Sequence, residues 1–300
     1  MRHPCLSRRT FCRALTAATV GWCTSPGLAA LVANHRRQYP IGVCDWSLDA
    51  TGRIGAIETA RQIGLDGVQV SFGPPGRGLD LRRPEARATY ADACNEHGMT
   101  IASLAMGCLN DFPYATDDGA QQWVVQCIDA MVAMKQRVVL LAFFSKGDIL
   151  DQPKLQQNVI ARLKAVVPKA EKAGVVLGLE TWLSADDHLR ILDAVGSPAV
   201  QVYYDVANMD KRGYDIYADI RRLGRERICQ IHAKEYGHLL GSGRIDFQKV
   251  RAALDEIEWT GWLVIEGATV SDRPLLECHR YNQQYLRSVF APAPETPATD

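Results

Sequence analysis

The sequence predicts a single (β/α)₈ barrel (TIM barrel) of the α/β class, in which eight parallel strands, each followed by a helix, close into a ring. From Tyr39 onward, short apolar runs alternate with amphipathic stretches of helical period, and this alternation recurs eight times. Eight such units occupy roughly 250 residues, the usual length of one barrel. Because no glycine-rich phosphate-binding motif follows the first run, the sequence favours the barrel over a doubly wound dinucleotide-binding sheet.

The eight predicted strands are short runs rich in Val, Ile or Leu. They comprise residues 41–45, 67–70, 100–104, 138–143, 175–180, 200–204, 228–232 and 262–266. Runs that are apolar throughout are typical of parallel strands covered on both faces.

The predicted helices follow these strands in order. They comprise residues 54–63, 84–96, 120–134, 153–172, 185–195, 216–223, 247–257 and 274–290. Gly64, Gly98, Gly174 and Gly261 lie just beyond predicted helix ends, where a C-cap glycine is expected.

The chain divides into three predicted segments. An export signal covers residues 1–30, the barrel covers residues 39–290 and a disordered tail rich in Pro, Ala and Thr covers residues 291–300. The sequence contains no sign of a second folded domain.

The predicted export signal contains an arginine pair, Arg8 and Arg9, within the run SRRTFCR. A weakly apolar stretch and the small residues Ala29 and Ala30 follow. This order resembles a bacterial Tat signal peptide and predicts export to the periplasm. Tat export carries folded proteins, which suits a chain that acquires a metal before it is exported.

Composition disfavours two classes of partner. The 34 basic and 34 acidic residues cancel, so no overall positive field attracts nucleic acid. No uncharged apolar run of about 18 residues is present, and no membrane span is expected. The six cysteines outside the signal form no C-x-x-C pair and are expected to be mostly buried thiols. A homo-oligomer is left open.

Polar residues close four neighbouring predicted strands. The fifth to eighth runs end on, or directly before, Glu180, Asp205, His232 and Glu266. The carboxyl ends of barrel strands meet at one rim, where a buried carboxylate is costly unless it is paired or binds a cation. The set predicts a divalent metal site for Mn²⁺, Mg²⁺, Co²⁺ or Zn²⁺, and its oxygen-rich composition favours a harder ion such as Mn²⁺.

Five segments resemble the xylose isomerase-like TIM-barrel superfamily of sugar isomerases and epimerases. They are LETWLSA, YYDVAN, IHAKE, LGSGRIDF and GWLVIEG, beginning at residues 179, 203, 231, 240 and 261. The resemblance covers about residues 40–290. It implies that Glu180, Asp205, His232 and Glu266 bind the metal, and that Glu180 and Glu266 also act as catalytic acid and base, as in the ketose 3-epimerase branch.

The chemistry that follows is epimerisation or isomerisation of a keto sugar through an enediolate. An exported enzyme is a poor match for a sugar phosphate, so a free keto sugar or related polyol is the expected substrate. A lyase or hydratase acting on oxidised glycosides at the same site, or a non-catalytic carbohydrate-binding barrel, remains an alternative. DNA-repair endonucleases of the superfamily are disfavoured because they need more strand-end histidines.

Six residues are predicted to contact substrate. They are Trp46, Trp182, Asn208, Lys234, His238 and Arg244. The two tryptophans, with Phe72, Phe143 and Phe144, form either a sugar-stacking wall or the upper core. Asn208 stands where the ketose 3-epimerase branch usually has histidine. Lys234 and Glu235 either contact substrate or form a solvated pair, and His188 is expected to be structural.

Overall fold

A computed structural model describes residues 39–76 and 78–291 and shows a closed barrel of eight parallel strands. The strands are β1 (Ile41–Cys44), β2 (Gly67–Ser71), β3 (Thr100–Met106), β4 (Val138–Ala142), β5 (Val176–Glu180), β6 (Val200–Asp205), β7 (Ile228–Ala233) and β8 (Leu263–Ile265). Each strand pairs with the next, and β8 closes the ring on β1 with Ile41 opposite Leu263. The predicted fold class is confirmed.

Nine α-helices are present in the described residues. They are α1 (Gly55–Ile63), α2 (Pro84–His97), α3 (Asp118–Met134), α4 (Pro153–Ala173), α5 (Ala185–Val195), α6 (Val206–Lys211), α7 (Ile216–Leu223), α8 (Phe247–Glu256) and α9 (Leu275–Phe290). Eight correspond to the predicted helices, and α6 is a short addition directly after β6. The predicted export signal of residues 1–30 and the tail from residue 292 lie outside the described residues.

Local sequence explains the helix boundaries. Asp117, Ser184, Asp215 and Asp246 cap the first turns of α3, α5, α7 and α8 with their side-chain oxygens. Gly64, Gly98 and Gly174 adopt the left-handed conformation after α1, α2 and α4, as predicted. The prediction for Gly261 is wrong, because α8 ends at Glu256 and Ile257 is its C-cap.

The main core lies between the strand ring and the surrounding helices. Outward-facing strand residues such as Val43, Val139 and Leu179 are buried there against the helices. Two smaller clusters combine the alanines Ala102, Ala105 and Ala142 with larger residues such as Leu140 and Tyr203. Ala105 and Ala142 also line the cavity at the carboxyl end of the barrel.

Trp262 fills the opposite end of the barrel. A β-carbon added at Gly67 would collide with the Thr100 carbonyl oxygen and lie 2.8 Å from the Trp262 ring, so this position has no room for a side chain. Glycine in the strand therefore allows the indole to close the amino-terminal end of the ring.

Two sequence expectations concern the burial of the cysteines and the absence of membrane-spanning helices. Cys44, Cys127 and Cys278 are buried free thiols, whereas Cys94, Cys108 and Cys229 are half-buried. Within the described ranges, none of the helices has the length and apolar character needed to cross a membrane.

Candidate metal centre and active site

Four side chains at the carboxyl ends of β5 to β8 converge. Glu180 and Asp205 end β5 and β6, His232 is one residue from the end of β7, and Glu266 follows β8. One ligand atom from each side chain lies within 4.8 Å of those of the other three. Parallel strands bring their carboxyl ends to one rim, which is where barrels of this type carry their chemistry.

The donor set fits a divalent cation. Three carboxylates and one imidazole are ligands that Mn²⁺, Mg²⁺, Co²⁺ and Zn²⁺ accept. Asp205 Oδ2 is buried and accepts no hydrogen bond, and Lys234 Nζ lies 3.5 Å from it. A cation bound between these four residues would give this carboxylate oxygen the short contact that it lacks.

The imidazole of His232 presents Nδ1 to the carboxylates. Nδ1 lies 3.0 Å from Glu180 Oε1 and 3.2 Å from Glu266 Oε2. It lies 3.7 Å from Asp205 Oδ2. The other ring nitrogen, Nε2, faces Gln69 inside the barrel. Nδ1 is therefore the nitrogen that could bind a metal.

Lys234 brings a positive charge to the same cluster. Its Nζ lies 2.9 Å from Glu266 Oε2 and 3.5 Å from Asp205 Oδ2. Burial lowers the pKa of Lys234, but Asp205, Glu266 and Glu180 outweigh burial and raise it above its usual range. The ammonium remains charged at neutral pH.

The two glutamates differ in their ionisation. Burial raises the pKa of Glu180 to about 7, with His232 opposing the shift. Burial also acts to raise the pKa of Glu266, but His232 and Lys234 hold it well below its usual range. A dication bound among them would favour the ionised form of both groups.

A cavity of about 350 Å³ opens beside the cluster, and Glu180 and Glu266 form part of its wall. Three aromatic rings, those of Trp46, Phe72 and Phe144, also line it. Its polar lining comes from side chains at strand ends and loops, namely Thr51, Ser71, Asn110 and Asp111. The size and this mixture of aromatic and polar groups suit a small polar molecule.

Trp46 joins the cavity to the cluster. Its ring lines the cavity, and Nε1 donates a hydrogen bond of 3.1 Å to Glu266 Oε1. Phe72 and Phe144 share this wall, whereas Phe143 is fully buried and packs edge to face on Tyr114. Trp46, Phe72 and Phe144 therefore line the cavity, while Phe143 belongs to the core and Phe72 to both.

Trp182, Asn208 and Lys234 lie close to the cluster. Asn208 is buried, and its Nδ2 lies 3.5 Å from Glu180 Oε1. Trp182 packs edge to face on Phe144 with ring centroids 5.0 Å apart. These three predicted substrate-binding residues therefore lie around the candidate site.

His238 and Arg244 lie outside the cavity wall. Both are exposed. Arg244 is 77% exposed at its side chain and pairs with Asp210. The loop between β7 and α8 carries them toward solvent, so the expected place at the pocket is not supported for these two residues.

The contacts of His188 and Glu235 bear on the roles that the sequence predicted for these residues. His188 is buried between Thr181 Oγ1 and the Ser184 carbonyl, at 3.0 and 3.1 Å, which agrees with a structural role. Glu235 is buried and accepts a 2.9 Å hydrogen bond from the Ile245 amide. Glu235 is therefore neither a solvated partner of Lys234 nor part of the cavity wall.

Asp45 is a site residue that the sequence did not reveal. It is fully buried, and its carboxylate accepts hydrogen bonds from the Gly52 amide and from the amide and hydroxyl of Ser71, at 2.7–2.9 Å. These bonds hold two segments of the cavity wall together. The sequence feature that could have revealed Asp45 is its position at the end of the first predicted strand, which matches the positions of the four cluster residues.

The chain is similar to known proteins in its sequence. The family model described as xylose isomerase-like TIM barrel matches residues 57–289. A 2-epi-5-epi-valiolone 7-phosphate 2-epimerase from Actinoplanes sp. (strain ATCC 31044 / CBS 674.73 / SE50/110) is 28% identical over 221 residues, covering 71% of this chain and 81% of the relative.

Two solved structures share the fold. The apo form of 3-keto-D-glucoside 4-epimerase from E. coli superposes with a TM-score of 0.70 at 16% identity, covering 84% of this chain and 100% of the other. A xylose isomerase-like TIM barrel protein from Mycobacterium smegmatis, in complex with magnesium, gives a TM-score of 0.67 at 17% identity, covering 84% and 97%. The expected resemblance is thus confirmed at the level of family and fold.

Proposed function

This chain belongs to the xylose isomerase-like TIM barrel family, and we propose that it is a divalent-metal-dependent epimerase or isomerase acting on a keto sugar. One observation carries the proposal: Glu180 and Glu266 each offer an atom to the candidate metal cluster and also line the cavity beside it. Two carboxylates at the junction of a cation site and a cavity suit proton transfer next to a polarised carbonyl.

The four residues Glu180, Asp205, His232 and Glu266 would hold the cation. When bound there, it would stabilise the negative charge that develops on a keto sugar as the enediolate forms. Mn²⁺ is the proposed ion, because three carboxylates make the ligand set oxygen-rich.

The two glutamates would move the proton. One carboxylate removes the proton from the carbon next to the carbonyl, and the other returns a proton to that carbon. Return of the proton to the opposite face of that carbon inverts the centre. If a single carboxylate instead moves the proton between adjacent carbons, the result is isomerisation. Trp46 holds Glu266 from the cavity side, and Asn208 lies beside Glu180, so each carboxylate has a neighbour that restricts its orientation.

We further propose that the substrate is unphosphorylated. Thr51, Ser71, Asn110 and Asp111 in the cavity wall offer hydrogen-bonding groups for sugar hydroxyls, and the aromatic wall would cover an apolar sugar face.

A further proposal concerns where in the cell the protein acts. We propose that the Tat-like sequence of residues 1–30 directs export to the periplasm, where unphosphorylated sugars are the expected substrates.

The direct test is a substrate panel. The Mn²⁺-supplemented protein is incubated with keto sugars, keto glycosides and the matching phosphate esters, and products are identified by NMR and mass spectrometry. The proposal predicts isomeric products of unchanged mass from unphosphorylated compounds. Loss of mass would instead support the lyase or hydratase alternative, and binding without turnover would support a non-catalytic barrel.

A further inference from the structure

A buried polar group lies beneath the candidate metal cluster and is not part of it. Gln69, on β2, is fully buried inside the barrel. Its Oε1 lies 2.9 Å from His232 Nε2 and 3.2 Å from the Cys44 thiol. Its Nε2 donates a 3.0 Å hydrogen bond to Ser103 Oγ. We refer to Cys44, Gln69 and Ser103 as the Gln69 brace.

The orientation of this amide determines which nitrogen of His232 carries hydrogen. With Oε1 facing the ring, Nε2 must donate, and the neutral imidazole then has its lone pair on Nδ1. In the reverse orientation the amide NH₂ would face Nε2, and Nδ1 would carry the hydrogen toward Glu180. Only the first arrangement leaves Nδ1 able to bind a cation.

Two further contacts accord with the first arrangement. The Cys44 thiol lies 3.2 Å from Oε1 and 3.5 Å from His232 Nε2, and it donates to Oε1 when Nε2 carries the hydrogen. Ser103 then accepts from the opposite end of the amide.

We propose that Gln69 is a positioning residue for the metal centre, which sets the Nδ1-binding tautomer and ring orientation of His232. This inference rests on the proposed metal-dependent function and adds a residue that touches neither the cavity nor the cluster carboxylates. Hydrogen-bond acceptors behind metal-binding histidines typically change metal affinity about 10–100-fold when removed.

The experiment measures Mn²⁺ affinity of the purified chain by isothermal titration calorimetry. Gln69→Met keeps the length of the side chain but removes its amide acceptor, and we expect affinity to fall about 10–100-fold. Gln69→Glu restores an acceptor in the same place and is expected to bind within about threefold of the wild type. A role in packing alone would not distinguish these two variants in this way.

Gln156→Met is the matched control. Gln156 is another buried amide, but it lies on α4 and bonds the Ile149 carbonyl and Arg190, away from His232. We expect its Mn²⁺ affinity to stay within about threefold of the wild type. Circular dichroism establishes that each variant is folded, and Gln69→Leu replaces Gln69→Met if the latter does not fold.

The outcomes separate this inference from the proposed function. Weaker binding by folded Gln69→Met or Gln69→Leu, with affinity retained in Gln69→Glu and Gln156→Met, supports the assignment. Wild-type affinity in the folded apolar variant overturns the role of Gln69 while leaving the metal site intact. Absence of Mn²⁺ binding by the wild type overturns both.

Discussion

Glu180 and Glu266 are the residues on which the proposed chemistry depends. Replacing either by glutamine keeps the shape of the side chain but removes its capacity to transfer a proton. We expect Glu180→Gln and Glu266→Gln each to retain the fold and to lower turnover about 10²–10⁴-fold. Steady-state rates and circular dichroism measure the two effects, and wild-type rates in both variants would exclude the acid and base roles.

Trp46 is expected to orient Glu266 through its indole N–H. Trp46→Phe keeps an aromatic ring in the cavity wall but removes this hydrogen bond, so we expect a roughly 10–100-fold lower kcat, in line with about 1.5–3 kcal/mol for a bond to a charged group. Trp123→Phe is the control, because Trp123 packs on Phe112 in the helical layer. Equal kcat for Trp46→Phe and the wild type would contradict the orienting role.

His188 makes the fold sensitive to acid. Burial lowers its pKa from 6.5 to about 4 in the folded chain. Because the unfolded chain binds this proton first, stability falls as the pH drops from about 6.5 to 4, by about 3 kcal/mol. Above pH 6.5 the contribution is fully present.

The variant His188→Gln lacks this titration. Urea unfolding at pH 7 and pH 4 should show that the variant loses about 3 kcal/mol less stability than the wild type over this interval. His97→Gln, at the end of α2, controls for removal of a histidine elsewhere. An equal loss in wild type and His188→Gln would contradict the account.

Residues at strand ends were more predictable than residues inside the ring. Glu180, Asp205, His232 and Glu266 stand out because a polar side chain closes an apolar run. Gln69 lies inside such a run, and its partners Cys44 and Ser103 come from neighbouring strands 25 and 34 residues away. Nothing local in the sequence shows that these strands bring the three side chains together.

At the level of elements, periodicity located each predicted strand and helix to within two residues. The short helix α6 was not predicted because Asp205 has two local roles. It ends β6, and its Oδ1 also accepts the Asn208 amide at 2.7 Å, which caps α6. The cap leaves Oδ2 facing the cluster, so one carboxylate both starts a helix and contributes to the site.

The junction of β2 with Trp262 should be intolerant of a side chain. In Gly67→Ala the new methyl group would collide with the Thr100 carbonyl oxygen and would meet Trp262 at 2.8 Å. We expect destabilisation by about 1–3 kcal/mol or more, measured by urea unfolding. Gly55→Ala is the control, since a β-carbon at this helical position meets nothing within 4 Å. Equal stability of Gly67→Ala and wild type would contradict the tight packing.

For the whole molecule, the eightfold alternation was sufficient to predict a barrel because parallel strands need helical connections and a ring leaves no strand edge. The sequence also indicated which rim carries the chemistry. It did not reveal the courses of long loops, and the β7–α8 loop therefore places His238 and Arg244 at the surface rather than in the cavity wall.

The central claim is metal-dependent proton removal next to a carbonyl. The most direct measurement is proton exchange of unphosphorylated keto sugars in deuterated water, with the metal content of the protein determined before and after treatment with a chelator. The account predicts bound divalent metal and deuterium uptake at a carbon beside the carbonyl, lost on chelation and restored by Mn²⁺. A protein that binds no divalent metal and catalyses no exchange would contradict it.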